Sequence, residues 1–235
     1  MRVEPHDVGS IMHVIQFGTR GSDIVRNRAD QRDFVRTIFY ANDSHMDPHW
    51  RREVESLEPP ERPTSWPERD PLVHILAWTL LSNHFHLLLQ ETREGGIAKF
   101  MQRLCGSMTA CFNAKYKERG SLFQGGYHGI VVDEQAHLQY LVFYILVKNV
   151  LDVYPGGLLA ASRDFDRAWA WARDYTGSSL GSQLAHAASP ILDDPDGLVS
   201  SVIDNTDYAR EARELLAFHL EKKGEDFTSQ MLEPW

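Results

Sequence analysis

Residues 11–18 (Ile-Met-His-Val-Ile-Gln-Phe-Gly) alternate well enough between apolar and polar positions to predict a β-strand ended by a glycine. A loop from Thr19 to Asn27 follows. Asp30 to Ala41 then has a helical period that turns Phe34, Val35, Ile38 and Phe39 inward. Residues 42–71 break the pattern: six prolines, with Trp50 and Trp66 among many charges, predict an irregular surface insertion. Leu72–Leu81 and His84–Gln90 are strand-like runs joined by a turn at Ser82-Asn83, a hairpin. After Gly95-Gly96 the period becomes helical again, with Ile97, Phe100, Met101, Leu104, Met108, Cys111 and Phe112 on one face and an end near Gly120. A short strand, Ile130–Val132, precedes a helix that Asp133 is placed to cap and whose Leu138, Leu141, Val142 and Ile145 point inward; Pro155-Gly156-Gly157 closes it. Further on, Asp164–Tyr175 reads as a short Trp-rich helix, 176–206 as mostly loop, and Thr206–Lys222 as an acidic helix opened by Thr206.

The order strand, helix, hairpin, helix, strand, helix predicts an α+β fold, an antiparallel sheet with helices packed on it. Composition adds to this picture. At 235 residues with 43% hydrophobic side chains and six tryptophans, the chain can bury a proper core. No apolar run approaches the roughly 18–20 residues that span a bilayer, so no membrane partner is expected. Cys105 and Cys111, six apart in one predicted helix, neither share a face nor make a disulfide framework. With no signal-peptide-like stretch at Met1–Asp7, the expectation is a cytoplasmic, reduced protein.

Net charge is −9, which by its sum disfavours nucleic acid, but its distribution is uneven. Residues 191–235 hold eleven acidic and four basic side chains, whereas 91–130 hold six Lys/Arg against three Glu. A local basic patch can hold phosphates on an acidic protein, because counterion release depends on local contacts.

Two features carry chemistry. In Asn83-His84-Phe85-His86 the two histidines lie two apart on a predicted inner strand, so both project from one face while Phe85 points the other way. Two imidazoles so placed can be two ligands of a divalent metal, or simply two hydrogen-bonded histidines of a half-buried strand. In the last core helix Tyr140, Tyr144 and Lys148 are spaced four apart and share a face opposite Leu138, Leu141 and Ile145. A tyrosine hydroxyl is a weak nucleophile at its usual pKa of about 10, and a nearby metal-bound phosphate offsets that weakness. Its attack on a phosphodiester would leave a phosphotyrosine and retain the bond energy.

These residues, taken with several ordered blocks, resemble the single-tyrosine HUH transposases, particularly the REP-associated tyrosine transposase branch. The blocks are Gly9-Ser10-x-x-His13-Val14…Gly18, Leu80-Leu81-Ser82-Asn83-His84-Phe85-His86-Leu87-Leu88, Phe100-Met101-Gln102-Arg103-Leu104…Phe112-Asn113-x-x-Tyr116, Gly120-Ser121-Leu122-Phe123-Gln124-Gly125-x-Tyr127, and Val132-Asp133…Leu138…Leu141-x-x-Tyr144-Ile145. The resemblance implies a ferredoxin-like nuclease core over 1–157, interrupted by the 42–71 insertion, with 158–235 as an acidic, mostly helical extension. It implies a metal-dependent endonuclease and strand transferase that cleaves single-stranded DNA near hairpins. His84 and His86 would bind Mg²⁺ or Mn²⁺, and Tyr144 would become 5′-phosphotyrosyl-linked; a homodimer is compatible with it. Tyr140 is the rival nucleophile.

Relatives often place an amide four residues after the nucleophile as a third ligand. Here that position is Lys148, whose protonated amine cannot ligate and which can instead contact the scissile phosphate. Asn149 is the candidate third ligand, though in an α-helix it lies about 500° on from Tyr144. Arg103, Lys115, Lys117, Arg119, Phe123, Gln124 and Tyr127 are the further DNA-binding candidates. His13 reads as a core or sheet histidine. Two rivals stand beside this reading: a catalytically inactive DNA- or RNA-hairpin binder on the same fold, and a zinc-dependent hydrolase using His84 and His86.

Overall fold

A computed structural model describes residues 3–47, 49–204 and 207–222. Its strands are β1 (Ile11–Phe17), β2 (Val73–Leu80), β3 (His84–Glu91) and β4 (His128–Val132). They form one antiparallel sheet in the order β2-β3-β1-β4, so the strand carrying the two histidines is an inner one. Between β1 and β2 run α1 (Arg28–Ala41) and the short α2 (Trp50–Glu53); between β3 and β4 runs α3 (Gly96–Tyr116). This is the βαββαβ arrangement of a ferredoxin-like core, the α+β class expected from the sequence.

Alternation divides the sheet into two faces. Met12, Val14, Trp78, Phe85, Leu87 and Leu89 share a buried core with Phe34 and Ile38 of α1 and Phe100 and Leu104 of α3. On the other face, Leu88 and Ala77 pack under a continuous helical rod made of α4 (Gln135–Phe143), a π-helical turn (Tyr144–Lys148) and α5 (Asn149–Asp152). Every residue from Leu141 to Leu151 is buried, so the rod runs through the core and has no solvent face over that stretch.

Several expectations need correction. The insertion is not merely a surface loop: Trp50 and Trp66 are buried against Tyr40, with ring centroids 5.5 Å and 6.2 Å away. The rod starts two residues after Asp133, with Glu134 at its N-cap and no side-chain cap bond. The extension contains α6 (Gly157–Arg163), α7 (Phe165–Arg173), α8 (Leu180–Leu184), α9 (Ser200–Ile203) and α10 (Tyr208–Lys222), two of them within the stretch expected as loop. Asp164 caps α7 by accepting from Arg167 N–H. Thr206, expected to open the last helix, lies outside the described residues.

Leu158, Phe165, Leu180, Val202, Tyr208 and Leu216 join the same core as the rod, so the extension packs onto the half that carries the sheet. It also covers the outer edge of β2. Leu80 N–H donates to Gly177 O, Ser179 N–H to Trp78 O and Asp193 N–H to Ile75 O, satisfying backbone groups that an open edge would expose.

One close approach fixes the sheet end nearest His84. Gly18 N–H donates to Asn83 O at 2.7 Å, and a Cβ at Gly18 would lie 2.1 Å from the backbone oxygen of Ser22. Gly18→Ala is therefore expected to cost about 1–3 kcal/mol through forced backbone movement, read as a lower denaturant midpoint at unchanged slope.

Candidate functional site

Directly paired residues of antiparallel strands point to the same face. The registers Thr79↔His86, Ile15↔His86 and Ile15↔His128 thus make one transverse row, and Phe17↔His84 begins the next. His13, paired with Leu88 and Ile130, lies one row to the other side. His13, His84, His86 and His128 therefore share the face beneath the rod. Phe85 points away, into the α1 side, 5.3 Å from Phe34.

The ring hydrogen bonds define how the pair is held. His84 Nδ1–H donates to Asn83 Oδ1 at 2.7 Å. His86 Nδ1 and His13 Nε2 are 3.0 Å apart, and their rings stack with centroids 5.2 Å apart and planes 14° off parallel. The His84 and His86 rings are 5.0 Å apart and nearly perpendicular, at 75°. His84 is half-buried; His13 and His86 are buried.

The rod brings Tyr144 down onto this face. Its ring stands edge-on to His86 at 5.7 Å and to His13 at 6.2 Å, all within one chain. Lys148 Nζ lies 4.7 Å from the Tyr144 ring centroid and donates to its hydroxyl at 3.5 Å, while pairing with Asp152 at 2.8 Å. Tyr140 is directed elsewhere: its hydroxyl is 3.0 Å from Nδ1 of His219 on α10.

The turn that carries Tyr144 is widened. Asn149 N–H donates to Tyr144 O, the i→i+5 bond of a π turn. Thr79, in the His86 row, donates its hydroxyl to Ile145 O and so ties the widened turn to the sheet. At about 4.4 residues per π turn, five residues amount to about 410°, so Asn149 returns to the Tyr144 side of the rod. Asn149 is fully buried, and neither polar atom of its side chain has a hydrogen-bond partner among the described residues. Such an amide is costly unless it serves something. Among the described residues no three His, Cys, Asp or Glu side chains converge as a metal site, so a metal held by His84 and His86 would need an amide or hydroxyl ligand besides them.

Residues 68–147 match a family model described as "Transposase IS200 like". The match spans 80 of the 235 residues, so the likeness to IS200-like transposases is that of this segment. The segment contains β2, β3 and the rod as far as the π turn, and with them His84, His86 and Tyr144. The match supports the transposase likeness read from the residues, and with it a transposase-like role. No curated protein matches the chain. A solved structure described as "Structure of the REP associates tyrosine transposase bound to a REP hairpin" is 12% identical, covering 80% of this chain and 89% of that one with a TM-score of 0.42.

The other candidates fall into two groups. Gln124 is exposed, and its N–H donates to Phe17 O at the sheet end beside His84; Lys117 and Arg119 are exposed in the neighbouring loop after α3. Arg103 and Lys115 lie on α3, across the sheet from Tyr144. Arg103 donates to the carbonyls of Asp43 and Ser44, and Lys115 pairs with Asp30, whose hydrogen bond raises the Lys115 pKa. Phe123 is buried edge-on to Phe85 at 5.9 Å, and Tyr127 is half-buried against the same core.

Sequence reasoning undervalued His13 and passed over Asn83, Thr79 and His219. For His13 a signal existed: odd-numbered positions of β1 share one face, and only the β1–β3 register was needed to set that face beside His86.

Proposed function

We propose that this protein is a metal-dependent endonuclease and strand transferase for single-stranded DNA, working through a phosphotyrosine at Tyr144. The observation that carries the reading is the Tyr144 ring, edge-on to His86 at 5.7 Å in the same chain. It supports a site completed by one chain, acting in cis.

The residues fit a divalent cation. His84 and His86 would hold it through Nε2, and Asn149 would supply an amide oxygen. When bound, Mg²⁺ or Mn²⁺ would polarise and align the scissile phosphate. The chain's own residues do the rest. Tyr144 loses its phenolic proton and its oxygen bonds to phosphorus. The P–O3′ bond breaks and the departing 3′-oxygen takes up a proton, so no water is consumed. The Lys148 ammonium beside the hydroxyl favours the negative charge that develops there. Asp152 holds that ammonium in place.

Tyr144 is only 1% exposed, and His219 of α10 stands 6.5 Å from its ring. A strand reaches the hydroxyl only after this cover opens. That burial favours a second reading, a non-catalytic hairpin binder on the same fold. Incubation of the protein with labelled single-stranded hairpin oligonucleotides and Mn²⁺, followed by denaturing electrophoresis, separates the two. A protein–DNA adduct supports the enzyme; tight binding with no adduct supports the binder.

Asn149 offers an independent check. Asn149→Leu is expected to leave the metal-free protein as stable or more stable, because it removes a buried amide lacking hydrogen bonds. Mn²⁺ affinity, measured by titration, is expected to fall by roughly 10-fold or more.

A further inference from the structure

We propose that His13 is a positioning residue that fixes the ring and tautomer of His86, so that His86 offers Nε2 to the metal; this rests on the metal-dependent reading above. Two neutral imidazoles facing each other through nitrogen at 3.0 Å need one N–H and one lone pair between them. Only one arrangement leaves His86 competent as a ligand through Nε2: its Nδ1–H donates and His13 Nε2 accepts. His84 is already held that way, its Nδ1–H donating to Asn83 Oδ1. The two rings of the His-x-His pair are then anchored through the same nitrogen, one by a sequence neighbour and one by a residue 73 positions away.

Packing argues against a purely structural pair. His13 and His86 are 1% and 0% exposed on a sheet face they share with Leu88, Ile15 and Ile130. An apolar pair would fill that space without the cost of desolvating two imidazoles. The stack at 14° and the edge of Tyr144 against both rings leave the His86 ring little rotational freedom. Outer partners of this kind orient ligands and raise their basicity.

The test uses the full chain with Mn²⁺ as probe, comparing wild type, His13→Gln and His13→Leu. Two readouts are taken: Mn²⁺ affinity from the electron paramagnetic resonance of free ion, and the His86 tautomer of metal-free protein from long-range ¹H–¹⁵N spectra. Wild type is expected to show His86 protonated at Nδ1. Gln, whose Oε1 can accept from Nδ1–H, should keep that tautomer and most of the affinity. Leu should mix the tautomers and weaken Mn²⁺ by roughly 10–100-fold.

A wild-type His86 protonated at Nε2, or a folded His13→Leu protein with wild-type affinity, overturns the proposal. If His13→Leu fails to fold, the wild-type tautomer and the Gln variant still decide it. If wild type binds no Mn²⁺ while the tautomer result holds, the metal reading fails and the hold of His13 on His86 stands.

Discussion

Tyr144→Phe is expected to give a folded protein that forms no covalent adduct with single-stranded DNA. The substitution removes one oxygen and nothing of the ring that packs on His13 and His86. Its hydroxyl accepts from Lys148 at a long 3.5 Å, and losing such a bond costs about 1 kcal/mol or less. Removing a covalent nucleophile costs far more in rate, on the order of a thousandfold at least. Adduct yield on denaturing gels and thermal unfolding together check both halves. Tyr140→Phe is the matched control: its hydroxyl meets His219, and the variant should keep adduct formation. Loss of the adduct in Tyr140→Phe alone would reverse the assignment of the nucleophile.

Chelation should abolish cleavage and added Mn²⁺ or Mg²⁺ restore it, and His84→Ala should lose both metal affinity and adduct. His84 is the cleaner of the two histidines to remove. It is half-buried and anchored by Asn83, whereas His86→Ala would also strip His13 of its ring partner and cost about 1–3 kcal/mol of stability. Loss of a ligand itself should exceed the roughly 10–100-fold expected for loss of an outer partner. Isothermal titration with Mn²⁺ reads the affinity. The same protein tests the zinc hydrolase: stoichiometric zinc by elemental analysis, with activity surviving Tyr144→Phe, would replace the phosphotyrosine mechanism.

Much of this site was legible before the fold. Strand alternation alone put His84 and His86 on one face and Phe85 on the other, because the period of a strand is strict over two residues. Helical spacing found Tyr140, Tyr144 and Lys148 on a common side. It failed at Asn149, because counting by α-helical turns assumes the helix stays α. The π turn adds a residue to the ladder and rotates everything after it. No residue in Tyr144–Lys148 announces that; the turn is anchored by Thr79 from β2, more than sixty positions away.

Charge was the weaker guide. The basic residues of α3 looked like one phosphate-binding surface, yet Arg103 and Lys115 are tied to Asp43, Ser44 and Asp30 on the face opposite Tyr144. Linear charge counts do not know which side of a sheet a helix covers.

The sequence by itself determined the α+β class, the inner strand bearing the histidine pair and the helix bearing the tyrosine, because these follow from local periodicity. Tertiary structure decided what those residues meet: His13 against His86 through strand register, Asn149 returned to the Tyr144 side by a widened turn, and α10 laid against Tyr144. Each joins residues far apart in the chain, and local periodicity carries no information about such contacts.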